Sequence, residues 1–194
     1  MNRLACTVFV LVTCAAMLGQ AQYKVLYSFG GVPNDAAYPY GLIADSAGNL
    51  YGAGGGGTSQ EGSVFELSPQ AGGAWTETVL YSFCSVSNCL DGIGPEASLV
   101  LDANGNLYGT TTEGGANCAN TENRCGVAFE LSPPQQPGGS WTETVLYNFC
   151  SNYQNRVCLD GFEPKSQLAT DAAGNLYGTT YGGGSGTGIN AGIA

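Results

Sequence analysis

Trp75-Thr-Glu-Thr-Val-Leu-Tyr-Ser-Phe83 is written again as Trp141-Thr-Glu-Thr-Val-Leu-Tyr-Asn-Phe149, and its second half stands earlier in the chain as Val25-Leu-Tyr-Ser-Phe29. Such a run of β-branched and aromatic residues, recurring at a long spacing, decides the architecture before any local propensity does. Two further segments recur in step with it. Asp45-Ser-Ala-Gly48-Asn-Leu-Tyr-Gly52 returns as Asp102-Ala-Asn-Gly105-Asn-Leu-Tyr-Gly109 and as Asp171-Ala-Ala-Gly174-Asn-Leu-Tyr-Gly178, and Val64-Phe-Glu-Leu-Ser-Pro69 returns as Ala128-Phe-Glu-Leu-Ser-Pro133. The repeating unit is roughly 55 to 70 residues long, with turn signals separating four short β-patterned runs.

The middle unit shows the grammar. Residues 97–102 read as one strand, and the following Asp-x-x-Gly as a tight turn in which Asp caps its own backbone and Gly takes a positive φ. Residues 106–111 return as a hairpin partner. A Gly-rich loop leads to 127–132, where Phe129 and Leu131 face one way and Glu130 the other. A Pro/Gly loop leads to 141–149, where strict alternation would place Trp141, Glu143, Val145, Tyr147 and Phe149 on one face. Four consecutive antiparallel strands per repeat are the pattern of a propeller blade. The expected fold is therefore all-β: antiparallel four-stranded repeats forming an incomplete β-propeller of about two and a half blades. Its repeat strands are expected at about 23–29, 40–83, 95–149 and 165–194.

The copies differ where a sheet tolerates difference. The two tryptophan strands are 66 residues apart and the corresponding Gly-Asn-Leu-Tyr-Gly turns 69, the excess falling in the loop between Cys150 and Cys158. Ala191-Gly-Ile-Ala194 aligns with Cys125-Gly-Val-Ala128, so the sequence stops where the earlier copy enters a strand. Because propellers close with about four to eight blades, the repeat region 22–194 is expected to be truncated at its C-terminus. The alternative is completion by self-assembly.

At the other end, Met1-Asn-Arg3 followed by the apolar run 4–18 and Gly19-Gln-Ala21 reads as a signal peptide over 1–21. The apolar run is shorter than the roughly 20 residues of a membrane-spanning helix. An uncleaved anchor and lipoprotein processing at Cys14 are the competing readings. After cleavage four basic residues (Lys24, Arg124, Arg156, Lys165) stand against all 15 acidic ones, a net charge of −11. That charge repels nucleic acid and anionic lipid, so neither nucleic-acid binding nor membrane insertion is expected. Its simplest role is solubility outside the cell.

Six of the eight cysteines lie beyond residue 21. An even number in an exported chain implies disulfides. Cys84 and Cys89 flank the loop after Phe83, and Cys150 and Cys158 take the same places one unit later, while the first unit has Gly30-Gly-Val-Pro-Asn-Asp35 there. The pair comes and goes together, so each is expected to be local, leaving Cys118 to pair with Cys125 across the Gly-rich loop. With no histidine and no Cys-x-x-Cys in the sequence, zinc and redox functions are not expected.

The succession Leu-Tyr-Ser-Phe, Asp-Gly…Pro (Asp91-Gly92…Pro95 and Asp160-Gly161…Pro164), Asp-x-x-Gly-Asn-Leu-Tyr-Gly-Thr-Thr, Gly-Gly and Val-Phe-Glu-Leu-Ser resembles the GloVer tandem repeat of choice-of-anchor bacterial surface proteins. The likeness runs from about Lys24 to Ala194. It implies an exported, repetitive, propeller-like protein, often held at the cell surface by a C-terminal anchor, in a family without an established activity. The first unit departs from the pattern, with Asn34-Asp35…Pro39 and Gly52-Ala53 where the others have Asp-Gly…Pro and Gly-Thr-Thr. No anchor-like segment follows the repeats within 1–194, so attachment is not carried over.

The missing histidine removes Ser-His-Asp and Cys-His catalysis within this chain, leaving carboxylates and tyrosines as acid/base groups. A glycosidase needs two carboxylates, and Asp45, Asp102 and Asp171 are the candidates for that role. Each, however, recurs with its glycine (Gly48, Gly105, Gly174) at the same turn, and a group demanded by every repeat is better explained by hairpin geometry. The Asp-x-x-Gly-Asn spacing is not that of an EF-hand. The stretches 54–57 and 182–186 lack the Lys-Ser/Thr of a phosphate loop and read as flexible blade loops. Tyr51, Tyr108, Tyr177 and the two tryptophans read first as core or inter-blade packing, and second as sugar-stacking platforms. No catalytic, cofactor or metal residue is assigned. The expected function is a non-enzymatic, exported repeat protein, secreted or at the cell surface, that binds an extracellular glycan or protein or serves as surface architecture. The alternative is a fragment of an extracellular polysaccharide-active enzyme whose site lies in further blades.

Overall fold

The computed structural model describes residues 23–118, 124–185 and 192–193. Segment 1–21, read from the sequence as a signal peptide, lies outside them. The described chain is all-β and antiparallel. The first repeat contains β1 (Ala36–Ala37), β2 (Leu42–Ala44), β3 (Leu50–Gly56), β4 (Ser63–Pro69) and β5 (Trp75–Ser82). The second contains β6 (Val100–Leu101), β7 (Leu107–Thr110), β8 (Val127–Ser132) and β9 (Thr142–Asn148). There follow a small hairpin, β10 (Tyr153–Gln154) and β11 (Val157–Cys158), and then β12 (Phe162–Pro164), β13 (Ala169–Thr170), β14 (Leu176–Tyr177) and β15 (Thr180–Gly182).

In the second repeat the strands lie in chain order, β6-β7-β8-β9, and β2 to β5 form the same meander in the first. Sequence-adjacent antiparallel strands need only short connections, and each connection here carries its own turn chemistry. In the third repeat β13 pairs with β14, and β12 pairs with β15. The β12–β15 pair has a counterpart in each earlier repeat: β1 against β3 in the first, and the Ile93–Glu113 bridge in the second.

Strict alternation does not run the length of the outer strands. In β9, Phe129 pairs with Val145 but Ala128 with Tyr147, so Leu146 is an extra residue, and Leu80 is extra in β5 in the same way. Beyond this β-bulge the Phe83 N–H still donates to Gly62 O at 2.9 Å in its own repeat, while its side chain enters the core of the next. There its ring packs on Phe129 at 5.0 Å, as Phe29 packs on Phe65 at 4.8 Å. Phe65, Phe83 and Phe129 are all fully buried. Each such burial contributes about 1.5–3 kcal/mol. The aromatic that ends one repeat is thus the core of the next.

One contact explains an invariant small residue. A Cβ on Gly52 would lie 2.5 Å from Phe65 Cζ, and one on Gly109 2.6 Å from Phe129 Cζ. The second strand of the repeat therefore carries glycine because the phenylalanine of the third lies across it.

Two expectations are corrected. Residues 23–29 join no ladder among the described residues. In the other repeats this sequence pairs with the Phe-Glu-Leu-Ser strand of its own repeat, and no such strand stands beside 23–29 within the described chain. Tyr27 and Phe29 are held by side-chain packing on Phe65 and Leu67 instead. The glycines 54–56, read as a flexible loop, belong to β3, where β1 lies directly against them.

Candidate functional site

The three repeated turn aspartates have nearly superimposable hydrogen bonds. Asp45 accepts from the backbone N–H of Ala47 and Asn49, from Asn49 Nδ2 (each 2.9 Å) and from Tyr51 Oη at 3.2 Å. Asp102 accepts from the N–H groups of Asn104 and Asn106 (2.8 Å), Asn106 Nδ2 and Tyr108 Oη. Asp171 accepts from Ala173, Asn175 and Tyr177 in the same way. The glycine of each turn, Gly48, Gly105 and Gly174, has a positive φ and donates its N–H to the aspartate carbonyl. Burial pushes the carboxyls of Asp45 and Asp102 up, but the hydrogen bonds from Asn49 and Asn106 and their neighbours outweigh it and hold both below the usual range. Asp171, held first by the Asn175 side chain, is lowered to about 2. A carboxylate that accepts four such bonds has little capacity left for a substrate.

A second repeated carboxylate lies at the junctions between repeats. Asp91 is 1% exposed, and its Oδ2 accepts from Tyr81 Oη, Ser85 N and Ser85 Oγ, all at 2.9 Å. Asp160 accepts from Tyr147 Oη, Ser151 N and Ser151 Oγ at 2.7 Å and from Asn152 N at 3.0 Å. Asp35 is the counterpart in the first repeat, meeting Tyr27 Oη at 3.3 Å and Gly31 N at 3.0 Å. These aspartates tie the end of one outer strand to the start of the next repeat. The sequence displays them as Asp-Gly…Pro and Asn34-Asp35, yet their tyrosine partners lie 8 to 13 residues upstream, a separation that varies with the intervening loop and hides the pairing.

Glu77 and Glu143 occupy equivalent places on β5 and β9 but meet different surroundings. Glu77 accepts from Ala36 N at 3.0 Å and Tyr27 Oη at 3.4 Å. Glu143 Oε1 is buried without a hydrogen bond. Burial, reinforced by nearby Asp91, pushes its carboxyl up to about 7. Burial also pushes Tyr81 up, with Asp91 and Glu143 adding to the effect, so Tyr81 stays a neutral donor. Glu163, also buried, has a positive φ, donates its N–H to Cys125 O at 2.9 Å, and pairs with Arg124 and with Lys165 Nζ at 3.1 Å.

Cys84 and Cys89 form a disulfide, as do Cys150 and Cys158. Cys118 and Cys125 are buried in one cluster with Cys150 and Cys158. The loop between them runs through 119–123, outside the described residues. Tyr51 packs 6.5 Å from Trp141 of the following repeat, its phenol pushed up to about 12 by burial and then by Glu66 and Asp45. Tyr177, in contrast, is 55% exposed. Among the described residues no three His, Cys, Asp or Glu side chains are grouped to hold a metal ion, and no helix is long and apolar enough to cross a membrane.

The strands, turns and junction aspartates recur together, and a profile of the Gloeobacter/Verrucomicrobia repeat matches residues 7–191. The chain belongs to the Gloeobacter/Verrucomicrobia repeat family. The match takes in all three repeats, the divergent first one included. No curated protein and no solved structure matches the chain.

Proposed function

We propose that this Gloeobacter/Verrucomicrobia repeat protein is an exported, non-enzymatic scaffold whose role is to bind an extracellular glycan or protein, or to serve as surface architecture. The observation that carries the reading is the use of the repeated carboxylates. Asp45, Asp102 and Asp171 hold turns, and Asp35, Asp91 and Asp160 hold junctions, each occupied by tyrosine, hydroxyl or backbone donors. Export is supported by the apolar N-terminal run and by loop disulfides, which persist in oxidising compartments. The acidic charge argues for neutral or basic partners rather than nucleic acid.

Two measurements test the proposal. The purified chain, incubated with a panel of extracellular polysaccharides, should release no reducing ends. Turnover that disappears on substitution of one of its carboxylates would overturn the non-enzymatic reading. Cell fractionation should find the protein outside the cytoplasm, and a cytoplasmic pool with reduced cysteines would overturn export.

A further inference from the structure

The three Asp-x-x-Gly turns share their hydrogen bonds but not the residue before the glycine. It is Ala47 in the first, Asn104 in the second and Ala173 in the third. Asn104-Gly105 is the one place in the sequence where asparagine precedes glycine. That pair carries a chemistry of its own. An asparagine carboxamide is an electrophile that the next backbone nitrogen can reach through a five-membered ring, and a following glycine, lacking Cβ, leaves that nitrogen open to approach.

The structure leaves the pair accessible. Asn104 is exposed, and among the described residues its side chain makes no hydrogen bond, only its backbone N–H donating to Asp102 Oδ1 at 2.8 Å. A Cβ on Gly105 would have only Pro133 Cγ nearby, at 3.7 Å. The Gly105 N–H is held by Asp102 O at 3.2 Å, the long end of the hydrogen-bond range, so a small opening of the turn frees the nitrogen. The two Asp-Gly pairs, which could close the same ring, are shielded instead. Asp91 and Asp160 have their carboxylates engaged by tyrosine, serine and backbone donors, and Gly92 N and Gly161 N are bonded to Cys89 O and Cys158 O.

We propose that Asn104 is a site of spontaneous deamidation, a covalent modification confined to the turn of the second repeat. The Gly105 nitrogen bonds to Asn104 Cγ and loses its proton, and the Cγ–Nδ2 bond breaks to release ammonia, leaving a cyclic imide. Water then opens one of the two imide C–N bonds, giving aspartate at position 104 from one cleavage and isoaspartate from the other. Solvent water is the only co-reactant. Isoaspartate routes the main chain through Cβ and so lengthens the turn. Asp102 Oδ1 accepts from the N–H groups of Asn104 and Asn106, both at 2.8 Å, and a lengthened turn cannot present both. The aspartate product sets a second negative charge beside Asp102. Either product loosens the closure of β6 on β7, whose Leu107 is fully buried. This inference is independent of the scaffold reading, since the modification needs no ligand or partner.

The test holds the purified chain at mildly alkaline pH and physiological temperature, and maps its asparagines by peptide mass spectrometry while ammonia release is followed. Conversion at Asn104 is expected to exceed that at all other asparagines together, with one equivalent of ammonia per converted chain. Converted material should accept methyl groups from a protein-isoaspartate methyltransferase. Asn104→Ala, which copies the first and third turns, should keep the melting temperature and lose the ammonia release. An intact Asn104 after other asparagines have converted, or ammonia release unchanged in Asn104→Ala, would overturn the proposal. The peptide map uses the unaltered protein and stays decisive however the variant folds.

Discussion

The first two repeats place a glutamate in the same position and surround it differently. In the first, the loop 30–35 carries no cysteine, and the Ala36 N–H is available to Glu77 Oε1. In the second, the loop is closed by Cys84–Cys89, and the N–H at the corresponding place, that of Gly92, donates to Cys89 O at 3.0 Å instead. Glu143 loses that partner, and its carboxyl rises to about 7. The third repeat turns the same way as the second, with Gly161 N bonded to Cys158 O. Stapling a loop therefore redirects one backbone donor and leaves a buried acid unsatisfied. At the head of the loop, Cys84 and Cys150 adopt the positive φ that Gly30 supplies in the first repeat, a conformation that costs a non-glycine residue about 1 kcal/mol or more. The cross-link offsets that cost by restricting the unfolded chain.

The largest expected effect separates a fully buried junction ring from a partly buried one. Phe129→Ala, which empties the pocket against Phe83, is expected to cost about 3–5 kcal/mol. Phe149→Ala, which removes a ring only partly buried among the described residues, is expected to cost less. Equal losses in thermal unfolding would break the distinction between the two junctions. Next is the staple: Cys84→Ser with Cys89→Ser should remove about 2 kcal/mol, while the first repeat, which lacks the cross-link, should be insensitive to reductant. Limited proteolysis with and without reductant, mapped by mass spectrometry, checks both.

A pH measurement sharpens the Glu77–Glu143 contrast. Because the folded Glu143 carboxyl lies at about 7, above its unfolded value of about 4.3, the folded state holds a proton that the unfolded state has released. Stability should therefore fall as pH rises from about 4.3 towards about 7 and then level off. Glu143→Gln should flatten that limb, whereas Glu77→Gln should lower stability across the range. The limb should be shallower than the limiting 1.4 kcal/mol per pH unit or so, because water reaches part of the side chain. Asp45, Asp102 and Asp171 act with the opposite sign. Their folded pKa values are lowered, so their contribution is present above about pH 4 and is lost as pH falls through the folded values. A wild-type profile rising monotonically from pH 4 to pH 7 would contradict the assignment for Glu143.

Much of the fold could be read from the sequence because the repeat copies itself. Wherever Asp-x-x-Gly, Leu-Tyr-Gly and Phe-Glu-Leu recur, the strands and turns follow, since each motif brings its own hydrogen bonds and its own buried face. The bulges at Leu80 and Leu146 were hidden, because Val-Leu-Tyr alternates as well as any regular strand and only the partner strand shows the slip. The glycines 54–56 look like a loop by composition, and only the approach of β1 makes them a strand. Of the acidic groups, the turn aspartates announce themselves by short-range spacing. The junction aspartates and Glu143 depend on contacts between repeats, which no local pattern encodes.

The central claim is that the repeated carboxylates hold the structure rather than a substrate, and Asp102→Ala tests it most directly. The account expects a loss of about 1–2 kcal/mol, seen as a melting temperature lowered by roughly 2–8 °C, with faster amide exchange across residues 102–110. An unchanged melting temperature, combined with the loss of any turnover or ligand binding by the unaltered chain, would contradict it.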